Sequence, residues 1–191
     1  MQFRLFPDDK ALTTFWRRLI NYGDVLSLKK IICSENDLAE KLESTRWALD
    51  FSWKQIVTVS KYMEANSCRA GEVIFDDNSS DNTMGIVVKG KVNIVKKDDQ
   101  GKATTMATLF SSQSFGEMSL IDGEPRSAQI VAATDVELLL LTKESLFNLV
   151  DTSPALAFKL LWSITKMLSQ RLRKTSGNLV EQINLTTSKQ N

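Results

Sequence analysis

Residues 115–128 read Phe115-Gly116-Glu117-Met118-Ser119-Leu120-Ile121-Asp122-Gly123-Glu124-Pro125-Arg126-Ser127-Ala128. Apolar, strand-like segments flank this stretch, Thr104–Phe110 before it and Gln129–Ala133 after it. A short turn therefore interrupts what is otherwise continuous β pattern. Gly116 lets the backbone approach another group closely or adopt positive φ. Met118, Leu120 and Ile121 follow at the spacing of one helical turn, whose first N–H groups and partial positive charge suit an anion. Arg126 lies just past the turn at Asp122, Gly123 and Pro125, and its forked guanidinium matches phosphate oxygens. Glu117, ionised, only accepts hydrogen bonds and can take a sugar hydroxyl. The stretch thus combines an anion hole, a fixed cation and a hydroxyl acceptor, the set needed for a small nucleotide phosphate. Read as an ordinary β-turn, it would carry Glu117 and Arg126 merely as a surface pair.

The pattern Phe-Gly-Glu-aliphatic-small-Leu, a short turn, then Arg-small-Ala resembles the phosphate-binding cassette of cyclic-nucleotide-binding domains. These occur in catabolite-activator-type regulators and in protein kinase A regulatory subunits. The resemblance implies that Glu117 binds the ribose 2′-OH and Arg126 the cyclic phosphate. It places the ligand roles on Gly116, Glu117, Met118, Ser119, Arg126, Ser127 and Ala128. The phrases Ala70-Gly71-Glu72-Val73-Ile74-Phe75 and Gly90-Lys91-Val92 are similar to the same family, over about residues 50–180. Two departures lie outside the cassette. Asn78 stands where the family has a loop glycine, and Asn tolerates the left-handed conformation. Gly85 stands where a large side chain is common, which implies a small void or an inward loop.

The remaining composition narrows the classes. The 191 residues suffice for one domain plus an accessory segment. A net charge of +1 gives no global electrostatic reason for nucleic-acid or membrane binding. No stretch approaches the roughly 20 apolar residues of a membrane span, and the N-terminus lacks an apolar signal core. A cytoplasmic protein is expected, with Cys33 and Cys68 as free thiols. Histidine is absent, which removes the commonest general base and metal ligand. No nucleophile elbow, Walker motif or carboxylate cluster points to a reaction. A non-enzymatic protein without metal or cofactor is expected.

Along the chain, Leu12, Phe15, Trp16, Leu19 and Ile20 recur at helical spacing within residues 8–22. Val25–Cys33 is a short apolar–basic segment that the pattern leaves open. Ser34 with Asp37 caps a second helix, and Ser52–Ala65 reads as a third. The pattern then changes to short strands: Val73–Phe75, Met84–Val88, Lys91–Val95, Thr104–Leu109, Gln129–Ala133 and Val136–Leu141. Lys89-Gly90 reads as a tight hairpin and Asp98-Asp99-Gln100-Gly101 as a second turn. This spacing predicts an all-β sandwich or barrel. Lys143–Val150 reads as a helix anchored by Phe147 and Val150, and Ser153-Pro154 opens another.

That last helix carries Leu161, Ile164, Leu168, Leu172, Thr175, Leu179 and Gln182 at steps of three and four, a seam suited to a partner helix. In the activator-type regulators a Thr-Ser pair on this helix meets the adenine, the Ser reaching from the other subunit. Thr175-Ser176 resembles that pair, so the likeness adds Thr175 and Ser176 to the ligand contacts. The expected organisation is a helical N-terminal extension (1–46), a cyclic-nucleotide-binding domain (47–185) including the C-terminal helix 154–185, and a polar tail (186–191). The fold class is mainly β: an antiparallel, jelly-roll-like β-roll (double-stranded β-helix) flanked by helices. The activator-type output, a helix-turn-helix domain, is not expected on this chain. The implied protein is a cAMP receptor that dimerises through its C-terminal helix and signals to a protein effector. The alternatives are a cGMP or cyclic dinucleotide receptor, or an interaction module of the same fold that binds no nucleotide.

Overall fold

The structure, a computed structural model, describes residues 28–188, with side chains through residue 180. The expected helix over residues 8–22 lies outside them. Lys29–Lys30 forms β1, a two-residue strand in the segment the pattern left open. Helix α1, Glu35–Glu43, starts at the expected capping box: the Asp37 N–H donates to Ser34 Oγ and the Ser34 N–H donates back to Asp37 Oδ2. A 3₁₀ turn over Arg46–Asp50 leads to α2, Trp53–Ser60. The expected third helix is too long at its C-terminus. It stops at Ser60, and Glu64–Cys68 is instead strand β2. Glu-Ala-Asn-Ser-Cys has little intrinsic strand tendency; pairing with a leucine-rich neighbour imposes it.

The strands that follow are β3 (Val73–Phe75), β4 (Thr83–Lys89), β5 (Lys91–Lys97), β6 (Ala103–Phe110) and β7 (Ser114–Phe115). A short helix α3 (Glu117–Asp122) precedes β8 (Gln129–Ala132) and β9 (Val136–Thr142). Helices α4 (Lys143–Thr152) and α5 (Pro154–Ser188) end the described chain. Two antiparallel sheets result, ordered β1-β2-β9-β4-β7 and β3-β8-β5-β6. The expected β-roll with flanking helices and a long C-terminal helix is the observed architecture.

Lys89-Gly90 is not a hairpin. β4 pairs with β7 and β9 in one sheet, whereas β5 pairs with β6 and β8 in the other. The chain turns a corner between sheets at Gly90, whose φ is 90°. A Cβ there would strike the Asp135 carbonyl oxygen and the Thr134 and Val136 side chains. The sequence signal is the same for both outcomes, because each needs a positive-φ residue between two strands.

β9 lies between β2 and β4, and its four leucines are buried on both faces. Leu139 and Leu141 face the helices with Ile56, Val59, Met84, Leu149, Leu160 and Ile164. Leu138 and Leu140 face the second sheet with Ile74, Phe75, Val87, Val92 and Phe115. Helix α4 is anchored by buried Leu146 and Leu149; of the expected pair, Val150 packs partly buried against the same core and Phe147 does not. Phe147 is exposed; the inward face is shifted by one residue because both apolar pairs fit the helical period. Ile164, read as part of a partner seam, is fully buried in the chain's own core. The exposed part of that seam begins at Leu172 and continues to Leu179.

Both departures from the family pattern have a local resolution. Asn78 adopts φ 59°, the conformation expected of it. Gly85 leaves no void, because the Phe115 ring lies where its Cβ would be. Phe115 in turn meets Phe75 edge-on, with ring centroids 5.4 Å apart. Gly85→Ala should therefore overpack this contact and destabilise the domain by about 1–3 kcal/mol. The urea midpoint measures this, with Gly177→Ala as the comparison, since a Cβ at Gly177 meets nothing within 4 Å and, like Gly85, that residue is not at positive φ.

Candidate functional site

The stretch 115–128 wraps one end of the roll. Gly116, at φ 76°, is the N-cap of α3, and Gly123, at φ 78°, ends it. A Cβ on Gly116 would collide with the Arg126 guanidinium and the Thr83 carbonyl oxygen, so glycine is required for the arginine to lie against the backbone. Together these elements shape a pocket of about 120 Å³. Gly116, Glu117, Met118, Ser119, Arg126, Ser127 and Ala128, seven of the nine expected ligand residues, line it. Thr175 and Ser176 do not; they are exposed on α5.

Arg126 is only 4% exposed. Its Nε and Nη2 donate to the two carboxylate oxygens of Asp81, a bidentate ion pair. Nη2 also donates to the Thr83 carbonyl at 2.5 Å, and Nη1 to the Gly116 carbonyl at 3.1 Å. The guanidinium carbon sits 4.0 Å from the Phe75 ring centroid, a cation–π contact. A guanidinium has five N–H groups. Four are used here, which leaves one on Nη1.

Glu117 is 3% exposed. Its Oε1 accepts from Arg171 Nη1, while Arg171 Nη2 donates to the Ser114 carbonyl at 2.6 Å. Arg171 comes from α5 and completes the pocket lining. Burial lowers the pKa of Arg171, because it penalises the charged form. The other carboxylate oxygen, Glu117 Oε2, is buried with no hydrogen-bond partner. Orphaned buried acceptors are rare; this one lies in a pocket beside a buried cation. Glu117 and Arg126 are therefore not a pair with each other. Each is held by a residue that sequence reading missed. Arg171 lies one turn before Thr175, where α5 spacing could have signalled it. Asp81 sits inside a polar run with no distinguishing pattern.

Residues 65–153 match the family model described as cyclic nucleotide-binding domain. Over those residues the chain is similar to that family. A cyclic AMP receptor protein of Thermus thermophilus is 34% identical over 118 residues, 62% of this chain and 53% of the relative. A CRP-like cAMP-activated global transcriptional regulator of Mycobacterium tuberculosis is 25% identical over 128 residues, 67% of this chain and 55% of the relative. The chain spans about half the length of these curated relatives. Among solved structures, a cyclic nucleotide-binding domain from Methylobacillus flagellatus superposes with TM-score 0.74 at 24% identity, covering 82% of this chain and 89% of that one. That likeness concerns the fold. No described helix is long and apolar enough to cross a membrane.

Cys68, on β2, is the domain's buried thiol and forms no disulfide. Burial, then its hydrogen bond to Glu72, pushes its pKa up to about 12. A raised folded-state pKa means stability that is complete below the unfolded value near 8.5 and lost as pH rises towards 12. Thiol-reactive dye at pH 8 should label half-buried Cys33 first and leave Cys68 unmodified in the native state. Separately, Asp81→Ala strips the charge partner from a buried guanidinium and should cost about 3 kcal/mol or more. Chemical denaturation reads it; a change below about 0.5 kcal/mol would mean that the pair contributes little.

Proposed function

We propose that the chain is a non-enzymatic receptor for a cyclic mononucleotide, cAMP in the first instance. The observation that carries this reading is Glu117 Oε2, a buried carboxylate oxygen without a partner in a pocket shared with Arg126. A ribose 2′-OH donates one hydrogen bond and would satisfy it. A cyclic phosphate would take the remaining Nη1 N–H of Arg126 and the unpaired N–H groups of the first turn of α3. Because Asp81 already neutralises Arg126, the phosphate must either share that guanidinium or displace the carboxylate. The site is thereby stable when empty and still has an unfilled donor for an anion.

Arg171 gives the pocket a mechanical connection. It ties α5 to Glu117 and to the Ser114 carbonyl. A ribose arriving at Glu117 competes for, or adds to, that contact, so ligand binding bears directly on the position of α5. The ligand shifts the helix only by its differential affinity for the two positions. Movement of α5 over the base would bring Thr175 and Ser176 towards it. Exposed Leu172, Leu179 and Val180 offer α5 an apolar strip for an isologous dimer, and a protein effector would receive the signal.

One observation favours a second reading, an interaction module without nucleotide. Arg126 has four of its donors satisfied within the chain, so the pocket does not need an anion to be stable. Thermal shift decides between the two. Ligand at 100 times its dissociation constant should stabilise by about 2.7 kcal/mol, and each kcal/mol moves the midpoint by roughly 2–4 °C for a domain of this size. With nucleotide carried over from expression removed, cAMP should raise the midpoint, and Glu117→Gln should abolish the rise. No rise with cAMP, cGMP or a cyclic dinucleotide favours the module. Thr175→Ala should weaken cAMP more than cGMP; equal losses would remove Thr175 from base recognition.

A further inference from the structure

On the other side of Arg171 a second and larger concavity opens, a groove of about 330 Å³. Its walls are the 3₁₀ turn after α1, the turn between β6 and β7, and the inner face of α5. Three cations converge on it from two separate parts of the chain: Arg46 from the 3₁₀ turn, and Lys166 and Arg171 from α5. Asp50 is the single acid in its lining. Arg46 and Lys166 have no ion-pair partner among the described residues, whereas Lys41 and Lys61 are paired with Glu137 and Glu35. Gln113 uses its Oε1 to accept the Phe110 N–H, which leaves its amide N–H groups for another acceptor. The groove is therefore rich in donors and positive charge and poor in acceptors. Scattered surface lysines do not produce that combination, because they lack a shared concavity and a common focus.

We propose that this groove binds a small phosphate-bearing anion and that Arg171 couples it to the cyclic-nucleotide pocket. A phosphate fits better than a carboxylate because three cations need more oxygens and more charge than one carboxylate offers. Arg171 lines both the groove and the pocket. An anion drawn against Arg171 from the groove side competes with Glu117 for its charge. That leaves more of the carboxylate's charge for the hydroxyl taken at the open Glu117 Oε2 and tightens cyclic-nucleotide binding. Linkage requires that cyclic nucleotide tighten anion binding by the same factor. The coupling rests on the proposed receptor function; the anion site does not.

Calorimetric titration of the full chain with inorganic pyrophosphate, at fixed ionic strength and without cyclic nucleotide, tests the site alone. Saturable one-site binding is expected, weakened about tenfold or more in the double variant Arg46→Gln/Lys166→Gln, a loss of about 1.4 kcal/mol. Both side chains are exposed and should leave the melting midpoint unchanged, which separates lost binding from lost fold. Absence of saturable binding, or equal affinity in the double variant, would overturn the site. A cAMP titration with and without saturating pyrophosphate then tests the coupling. Tighter cAMP binding with pyrophosphate supports it, and identical affinities refute it while leaving the anion site standing. If cAMP binds under neither condition, the receptor reading fails, and with it the coupling, while the pyrophosphate result still judges the groove.

Discussion

A guanidinium buried to the extent of Arg126 dictates much of its surroundings. Taking a full charge out of water costs several kcal/mol unless it is paired and its donors are met. Here the acceptors come from two places far apart in sequence: the Asp81 carboxylate with the Thr83 carbonyl at the start of β4, and the Gly116 carbonyl at the entry to α3. The face of the guanidinium rests on Phe75 from β3. Phe75 is held by Phe115, and Phe115 has room only because residue 85 is glycine. One charge therefore accounts for two glycines that composition alone would assign to turns, and for an aromatic pair that would otherwise read as generic core.

The second buried charge is arranged differently. Glu117 has one oxygen tied to Arg171 and one left open. Arg126 is thus nearly complete within the chain, while Glu117 is complete on one side only. The two halves of the cassette have distinct characters: a cation that organises the roll, and an anion that reports to α5.

The fold was largely legible because strand spacing, the cap at Ser34 and the positive-φ positions are local signals. Asn78 and the β5–β6 turn at Asp98–Gly101 follow from such chemistry. What was not legible depends on distant partners. Gly90 marks a corner in place of a hairpin, since the sequence cannot show to which sheet the next strand belongs. β2 was hidden in a helical reading because its residues become a strand only against β9. Helix α4 admits two apolar pairs one residue apart, and the core chose Leu146 and Leu149. In the site, the cassette announced its own residues through a contiguous pattern, but not Asp81 and Arg171, whose roles exist only once β4 and α5 are brought to it.

The placement of β9 also governs the order in which the domain can be assembled. β2 and β4 are separated in sequence only by β3, which belongs to the other sheet, yet they do not touch in their own sheet; β9 lies between them. Nothing joins these two strands into a sheet until residues 136–142 are available, so the first sheet closes by long-range pairing late in chain synthesis. Such non-local closure carries a large loop entropy before it gains any contact and makes folding slow relative to local hairpins. The β5–β6 hairpin, closed by a short turn, can form early and alone. A nascent chain stopped before β9 would therefore hold the second sheet but leave β2 and β4 each with one open edge, a form exposed to chaperone capture and to mispairing.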